Sequence, residues 1–368
     1  MFAARRYTPA EYLGNIRDYP KFWQSLRNNT QTIPQHAGNM QLGVDKLRQL
    51  YPELRPADIY FTVGAFRSGG TITDGMVLIG SEISLGDSTT DVSEFRPEHE
   101  WLQTLYTDRL GPELVFLNIH EYVHTQQVTT IGDRLLYQTL YEGIAEFVTT
   151  TALNEASTTP AVAFGKLHTD SVRSEFIEDM WLYDYSDWLW NNHRKDIVMG
   201  DLAYCVGYEI AERYYRKQSD TTAALATLIE LDYNDSAAVY RLVDESAYLS
   251  RPLAAYRAKY EAARPRVIDI QLKHTAEDWS VGDTTFVTLT FFEPMDTLRR
   301  GFDLGPLGAD QVLPITRVVG WSVNGRRFDV AVVPPGGGRR QVMVSPKFRS
   351  LEGYPVLPYL IEHTITED

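Results

Sequence analysis

The sequence predicts an α+β chain in two domains: a mainly helical domain with a small sheet, then an all-β sandwich. Three observations carry this. Apolar residues recur at helical spacing through most of the first 263 residues, whereas from Val267 onward they alternate with polar ones. The two patterns meet at Glu261-Ala262-Ala263-Arg264-Pro265, so the expected domains are residues 1–263 and 264–368. Charge divides at the same place: residues 1–262 hold 23 basic and 36 acidic groups, leaving 12 and 13 for the tail.

Composition narrows the function. With 368 residues, 43% hydrophobic and 23% charged, the chain can bury a core without covalent staples. Its one cysteine, Cys205, rules out an intramolecular disulfide and a cysteine-based zinc cluster, so any metal must sit on histidines and carboxylates. A net charge of −14 with no local basic patch argues against a nucleic-acid partner. The longest apolar runs, Leu114–Leu117 and Val330–Val333, fall far short of the roughly 20 residues of a membrane helix. Arg5-Arg6 is followed by no apolar stretch, so no signal peptide is visible.

Thr8-Pro9-Ala10-Glu11 reads as a helix start, with Thr8 as N-cap, proline at the first helical position and a capping-box acid. Asp58–Val63 and Met76–Ile79 read as strands joined through Gly64-Ala65-Phe66-Arg67-Ser68-Gly69-Gly70-Thr71. That glycine-rich segment lacks the Lys-Ser/Thr ending of a phosphate-binding loop, and a hairpin connection is expected instead.

The next helix should begin with Pro112 at its first position and run through Glu113-Leu114-Val115-Phe116-Leu117-Asn118-Ile119-His120-Glu121-Tyr122-Val123-His124. One helical turn brings His120 and His124 to the same face, where two imidazoles can hold one cation, with Glu121 beside them as a proton acceptor for a water. A chain of this composition would produce His-Glu-x-x-His by chance about 0.01 times. The alternative reading is two surface histidines on an amphipathic helix. Zinc suits two neutral imidazoles and takes a carboxylate as third ligand. Downstream, a helix capped by Asp133 should place Glu142 and Glu146 on one face; a metal with its imidazoles, or plain solvation, would relieve their repulsion.

His120-Glu121-Tyr122-Val123-His124, followed after seventeen residues by Glu142-Gly143-Ile144-Ala145-Glu146-Phe147, resembles the gluzincin metallopeptidases, the clan of thermolysin and the zinc aminopeptidases. The match covers about 40 residues. The resemblance implies a zincin-like catalytic domain with zinc on His120, His124 and Glu142. It also implies Glu121 as general base and Glu146 as the acid that orients a ligating histidine. Gluzincins further place a Tyr or His to stabilise the oxyanion. Asp201-Leu202-Ala203-Tyr204-Cys205-Val206-Gly207-Tyr208 offers Tyr204, narrowly favoured, and Tyr208, with ordinary core packing as the alternative for either. This Tyr-x-x-Gly-Tyr segment is similar to one in uncharacterised bacterial zinc-dependent proteases. Gly207, inside a helix, suggests close approach of another group. His193 is a weaker candidate donor.

In the tail, Val267–Leu272, Thr285–Phe291, Arg327–Val332 and Gln341–Val344 alternate as antiparallel strands, and about 100 residues suits an immunoglobulin-like module. Phe291-Phe292-Glu293-Pro294-Met295-Asp296 resembles a segment of bacterial immunoglobulin-like repeats from envelope proteins, which implies a structural or substrate-presenting appendage and an envelope or secreted setting. The expected function is zinc-dependent hydrolysis of peptide bonds in a peptide or protein substrate. One alternative is a catalytically inactive, zinc-stabilised binding protein of the cell envelope; another is a glycosidase working with paired carboxylates.

Overall fold

The computed structural model describes residues 1, 3–106, 110–190, 199–272 and 280–366. It divides into two compact units, Met1–Leu253 and Ala254–Asp368.

The first unit opens with α1 (Pro9–Asp18), α2 (Pro20–Thr30) and α3 (Ile33–Leu50). Thr8 caps α1 through its hydroxyl while Glu11 reaches back to the Thr8 backbone, the reciprocal pair expected of Thr-Pro-Ala-Glu. Then come β1 (Asp58–Thr62), β2 (Gly70–Thr73) and β3 (Met76–Gly80), a small sheet in the order β1-β3-β2. Here the structure corrects the expected hairpin: β1 and β3 run parallel, and the last two residues of the glycine-rich segment open a further strand, antiparallel to β3. The turn that makes it so is Asp74-Gly75. Both residues have positive φ, as a two-residue hairpin turn requires.

Helices build the rest of the unit: α4 (Ser81–Ser84), α5 (Leu102–Leu105), α6 (Leu110–His124), α7 (Leu135–Leu153), α8 (Pro160–Leu167), α9 (Thr169–Asp179), α10 (Leu202–Lys217), α11 (Thr221–Ile229) and α12 (Ser236–Ser246). Pro112 stands third in α6 rather than first, still within the first turn, where it removes no helical hydrogen bond. The expected Asp133 cap is also corrected. Helix α7 starts at Leu135 after Arg134 because chain 180–182 passes over its end: the amides of Leu135 and Leu136 donate to the carbonyls of Leu182 and Met180, at 3.0 and 2.9 Å. Sixteen of the nineteen residues of α7 are buried, so this helix is the axis of the unit.

Helix α10 crosses α7 at two glycines. A side chain on Gly143 would run into the backbone of Gly207, and one on Gly207 into the carbonyl of Thr139. The close approach expected at Gly207 is therefore a helix crossing, and it fixes which face of α10 meets the two acids of α7.

The second unit contains the body of α13 (Leu253–Ala263), ten residues more than the Pro265 boundary allots to it. Tyr260 packs on Tyr354, and the Arg264 guanidinium donates to the carbonyls of Pro355 and Val356, which draws the helix to the strands. After it come β4 (Val267–Leu272), β5 (Thr285–Phe291), β6 (Phe302–Asp303), β7 (Ile315–Trp321), β8 (Arg327–Val332), β9 (Gly338–Val344) and β10 (Tyr359–Ile365). They form antiparallel sheets in the orders β4-β5-β8-β7 and β10-β9-β6. Inward residues of both sheets, among them Leu289, Phe291, Phe328, Val330, Val342 and Ile361, share one apolar core with Phe348 and Val356.

Candidate metal centre

Helices α6 and α7 lie side by side and turn their polar residues towards each other. His120 and His124, one turn apart on α6, bring their Nε2 atoms to 3.1 Å. Glu142 of α7 points its Oε2 at both, 3.5 Å from His120 and 3.3 Å from His124. All three residues are buried, and together they form a group that can hold a metal ion.

A second layer orients the imidazoles. Glu146, one turn along α7, sets its Oε2 3.0 Å from Nδ1 of His120, on the side of the ring away from Glu142. The Ser157 hydroxyl in turn donates to Glu146. It can do so because α7 ends at Asn154 in the left-handed conformation, which turns the chain back. On the other histidine, Gln127 accepts from Nδ1 at 2.6 Å while its own amide nitrogen donates to the Tyr141 carbonyl. His124 thus spends Nδ1 on Gln127, His120 sets Nδ1 beside the Glu146 carboxylate, and both present Nε2 inward. Tyr141 stacks on His124 at 4.3 Å between ring centres.

Electrostatics reflect the crowding. Burial acts against a charged His120, but hydrogen bonds to Glu142 and Glu146 and their charges prevail and push its pKa up to about 10. Burial likewise opposes ionisation of Glu142, and the two histidines overcome it, holding that carboxyl well below the usual range. Glu121 differs: burial raises its pKa, and His124 and His120 offset this only in part. Its carboxylate lies against Gly70, the first residue of β2, where a side chain would collide with it.

The two tyrosines of α10 separate. Tyr204 enters the cluster, its ring 6.0 Å from that of His120; burial, the charge of Glu142 and a hydrogen bond to Glu142 raise its pKa far above the ordinary phenol value. Tyr208 does not. Its hydroxyl faces that of Thr150 at 3.4 Å, two turns along α7 from Glu142, and its ring packs on Phe147 beneath the Lys166 ammonium. The two side chains meet different stretches of α7, Tyr204 at Glu142 and Tyr208 at Phe147 and Thr150. His193 lies outside the described residues.

Four residues at the site escape a reading of the sequence. Gln127 and Ser157 carry no motif; Gln127 is legible only as the residue one turn beyond His124. Tyr141 precedes Glu142 and is hidden among 22 tyrosines. Tyr233, reached through the loop after α11, is buried with its hydroxyl unbonded, its ring 6.1 Å from Tyr141.

No protein-family model matches the chain, and no curated protein matches it. Among solved structures it is similar to the S-layer protein rSbsC(31-844), with 14% identity and a TM-score of 0.20 over 70% of this chain and 34% of that one. It is similar also to the N-terminal part of the bacterial S-layer protein SbsC, with 12% identity and a TM-score of 0.21 over 97% and 57%. The chain spans from about a third to somewhat over half of those structures, and agreement this low bears on neither fold nor function.

Proposed function

We propose that this chain is a zinc-dependent peptidase of gluzincin type, with zinc held by His120, His124 and Glu142 and Glu121 as general base. One observation carries the reading: the three inward donor atoms form a triangle with sides of 3.1, 3.3 and 3.5 Å. Ligand atoms bound tetrahedrally at zinc distances lie about 3.3 Å apart, so the donor set fits the ion without rearrangement. The set stops at three protein donors among the described residues, and a structural site would close a fourth.

Zinc in such a set supplies Lewis acidity, which polarises a carbonyl and acidifies water. The remaining roles belong to the chain. The Glu121 carboxylate takes the proton from the attacking water and returns it to the leaving amine; its raised pKa brings it nearer the working pH of a general base. Glu146 beside Nδ1 of His120, and Gln127 accepting from Nδ1 of His124, orient the two rings with Nε2 inward, where each neutral imidazole would offer its lone pair to a metal. The Tyr204 hydroxyl donates to the carbonyl oxygen as that oxygen gains charge. Strand β2 is bonded to β3 on one side, so its outer edge offers an extended peptide a row of backbone partners beside Glu121.

For the tail we infer an immunoglobulin-like sandwich. Lettered in chain order from β4 to β10, its sheets read A-B-E-D and G-F-C, the arrangement of constant-type immunoglobulin domains. The tail then acts as an appendage to the hydrolytic unit.

The test is metal analysis joined to proteolysis. The wild type should carry one zinc per chain and cleave an unfolded protein such as casein, and His124→Ala should lose both. Zinc at one per chain with no cleavage of casein or a mixed peptide library would favour the zinc-stabilised binding protein. No zinc in the wild type would end both readings.

A further inference from the structure

Glu82 belongs to none of the groups above, yet it is completely buried. It sits just after β3, in the first turn of α4, and among the described residues no lysine or arginine pairs with it. A carboxylate taken out of water without a cation is costly unless backbone amides satisfy it. Two from one loop do: Gly64 donates to Oε2 at 2.7 Å and Phe66 to Oε1 at 3.2 Å.

The loop they hold, residues 63–69, leads into β2. Phe66 is bound there at φ +60°, a left-handed conformation that a bulky side chain resists, with its ring between Tyr19, Phe22 and Phe95. Beyond Phe66, the Ser68 hydroxyl donates to the Gly70 carbonyl, and Gly80 donates to the Gly69 carbonyl at 2.8 Å. The next contact is with Glu121, whose carboxylate fills the space a Gly70 side chain would need. Because β2 is paired on one side only, the loop sets the angle at which the strand enters the site. The path runs from a buried carboxylate, through two amides and a strained residue, to the proposed general base.

We propose that Glu82 is a positioning residue: by fixing the loop of residues 63–69 it holds the β2 edge and the Glu121 carboxylate in register with each other. The inference rests on the hydrolytic reading of the site. Packing alone would not require an acid here, since Glu82 holds the loop through hydrogen bonds from two of its backbone amides. Glutamine keeps one acceptor and so should keep part of the function; alanine keeps none.

The test is steady-state cleavage of one peptide by the wild type, Glu82→Gln, Glu82→Ala and Val239→Ala. The last is a substitution in the α12 core that lowers stability away from the loop. Displacement of reacting groups by about 1 Å can reduce turnover roughly 10²-fold. Glu82→Ala should therefore lose on the order of 10²-fold in kcat/KM, with both kcat and KM affected and zinc still at one per chain. Glu82→Gln should recover a clear part of the loss, and Val239→Ala should lose stability without that loss. Equal kinetics for Glu82→Ala and Val239→Ala, or no recovery with glutamine, would overturn the proposal. If the wild type cleaves nothing, the hydrolytic reading fails separately, and amide exchange at Gly80 decides this one. Its partner is Gly69, not Glu82, so faster exchange in Glu82→Ala supports the loop's dependence on Glu82 and unchanged exchange refutes it.

Discussion

The two units bury different chemistry. In the first, Glu82, Glu121, Glu142, Glu146 and Glu209 are buried together with His120 and His124; the polar side chains buried in the tail, Thr285, Gln341, Ser345 and Ser350, carry no charge. Each ion taken from water costs several kcal/mol unless it is paired or bonded, so a fold selected for stability alone avoids it, as the tail does. The first unit instead places three carboxylates and two imidazoles where α6 faces α7. It sets Glu142 beside both imidazoles and Glu146 beside His120, and adds Gln127 and Ser157 as outer partners of His124 and Glu146. What the contrast teaches is how a core can hold charge: the first unit offsets the cost of its buried ions by setting them against one another, and the tail avoids that cost by burying none among its described residues.

The sharpest way to break that contrast is at Glu121. Replacing it with glutamine keeps shape and burial but removes the proton acceptor. Peptide cleavage should fall by roughly 10²- to 10⁴-fold, with one zinc retained per chain by metal analysis. Undiminished turnover would return Glu121 to an ordinary buried acid. The counterpart in the tail is Phe328, fully buried between Trp321 and Phe348. Phe328→Ala should cost about 3–5 kcal/mol of stability in the tail, read by denaturant unfolding, while zinc stoichiometry stays the same. Loss of zinc in that variant would show that the two cores are not separate in function.

Much of this was legible in the sequence where one local rule governs. Strands β5 and β8 fall where period-two alternation puts them, because their alternate residues enter a single shared core, and β4 does so after an irregularity at its first residues. Strand β7 was not legible: Val318, Val319 and Trp321 follow no alternation, and its pairing with β8 is broken by register shifts. Strand β2 is hidden in the sequence for a related reason, since Gly-Thr-Ile-Thr is too short to show a period and only Asp74-Gly75 marks its turn. At the site, residues sharing a helix face could be placed together by counting turns, as with His120 and His124. Gln127 and Ser157 could not, because they act across a helix end and a chain reversal. Tyr204 and Tyr208 are equivalent by helical spacing and are told apart only by the residues of α7 that each meets, Glu142 for one and Phe147 and Thr150 for the other.

That difference yields the next test. If Tyr204 is the donor to the developing oxyanion, Tyr204→Phe should lower kcat by roughly 10²- to 10³-fold and leave zinc content unchanged. Tyr208→Phe, which removes a hydroxyl facing Thr150, should change kcat less than about twofold. Equal effects would mean that contact with Glu142 does not set Tyr204 apart. A step smaller, Glu146→Gln should weaken zinc binding by roughly 10- to 100-fold, the usual cost of losing the outer partner of a ligating histidine; a chelator competition reads it directly.

The smallest effect separates the site's own charges from those of the metal. In protein stripped of metal, His120 keeps its proton up to a pKa of about 10, because Glu142 and Glu146 favour the charged ring over the opposing effect of burial. A metal needs the neutral imidazole, so binding must expel that proton. Below the His120 pKa the neutral fraction falls tenfold with each unit of pH, which removes about 1.4 kcal/mol of affinity per unit. Glu142, held well below the usual carboxylate range, is already ionised there and adds no slope of its own. Zinc affinity measured against a chromophoric chelator should therefore rise about tenfold per unit between pH 7 and 8.5, and calorimetry in two buffers of different ionisation enthalpy should find close to one proton released. A flat profile would mean that the imidazole is already neutral in the stripped protein. The two acids of α7 would then be paired with something other than His120, and the charge compensation that distinguishes this core from that of the tail would have to be sought elsewhere.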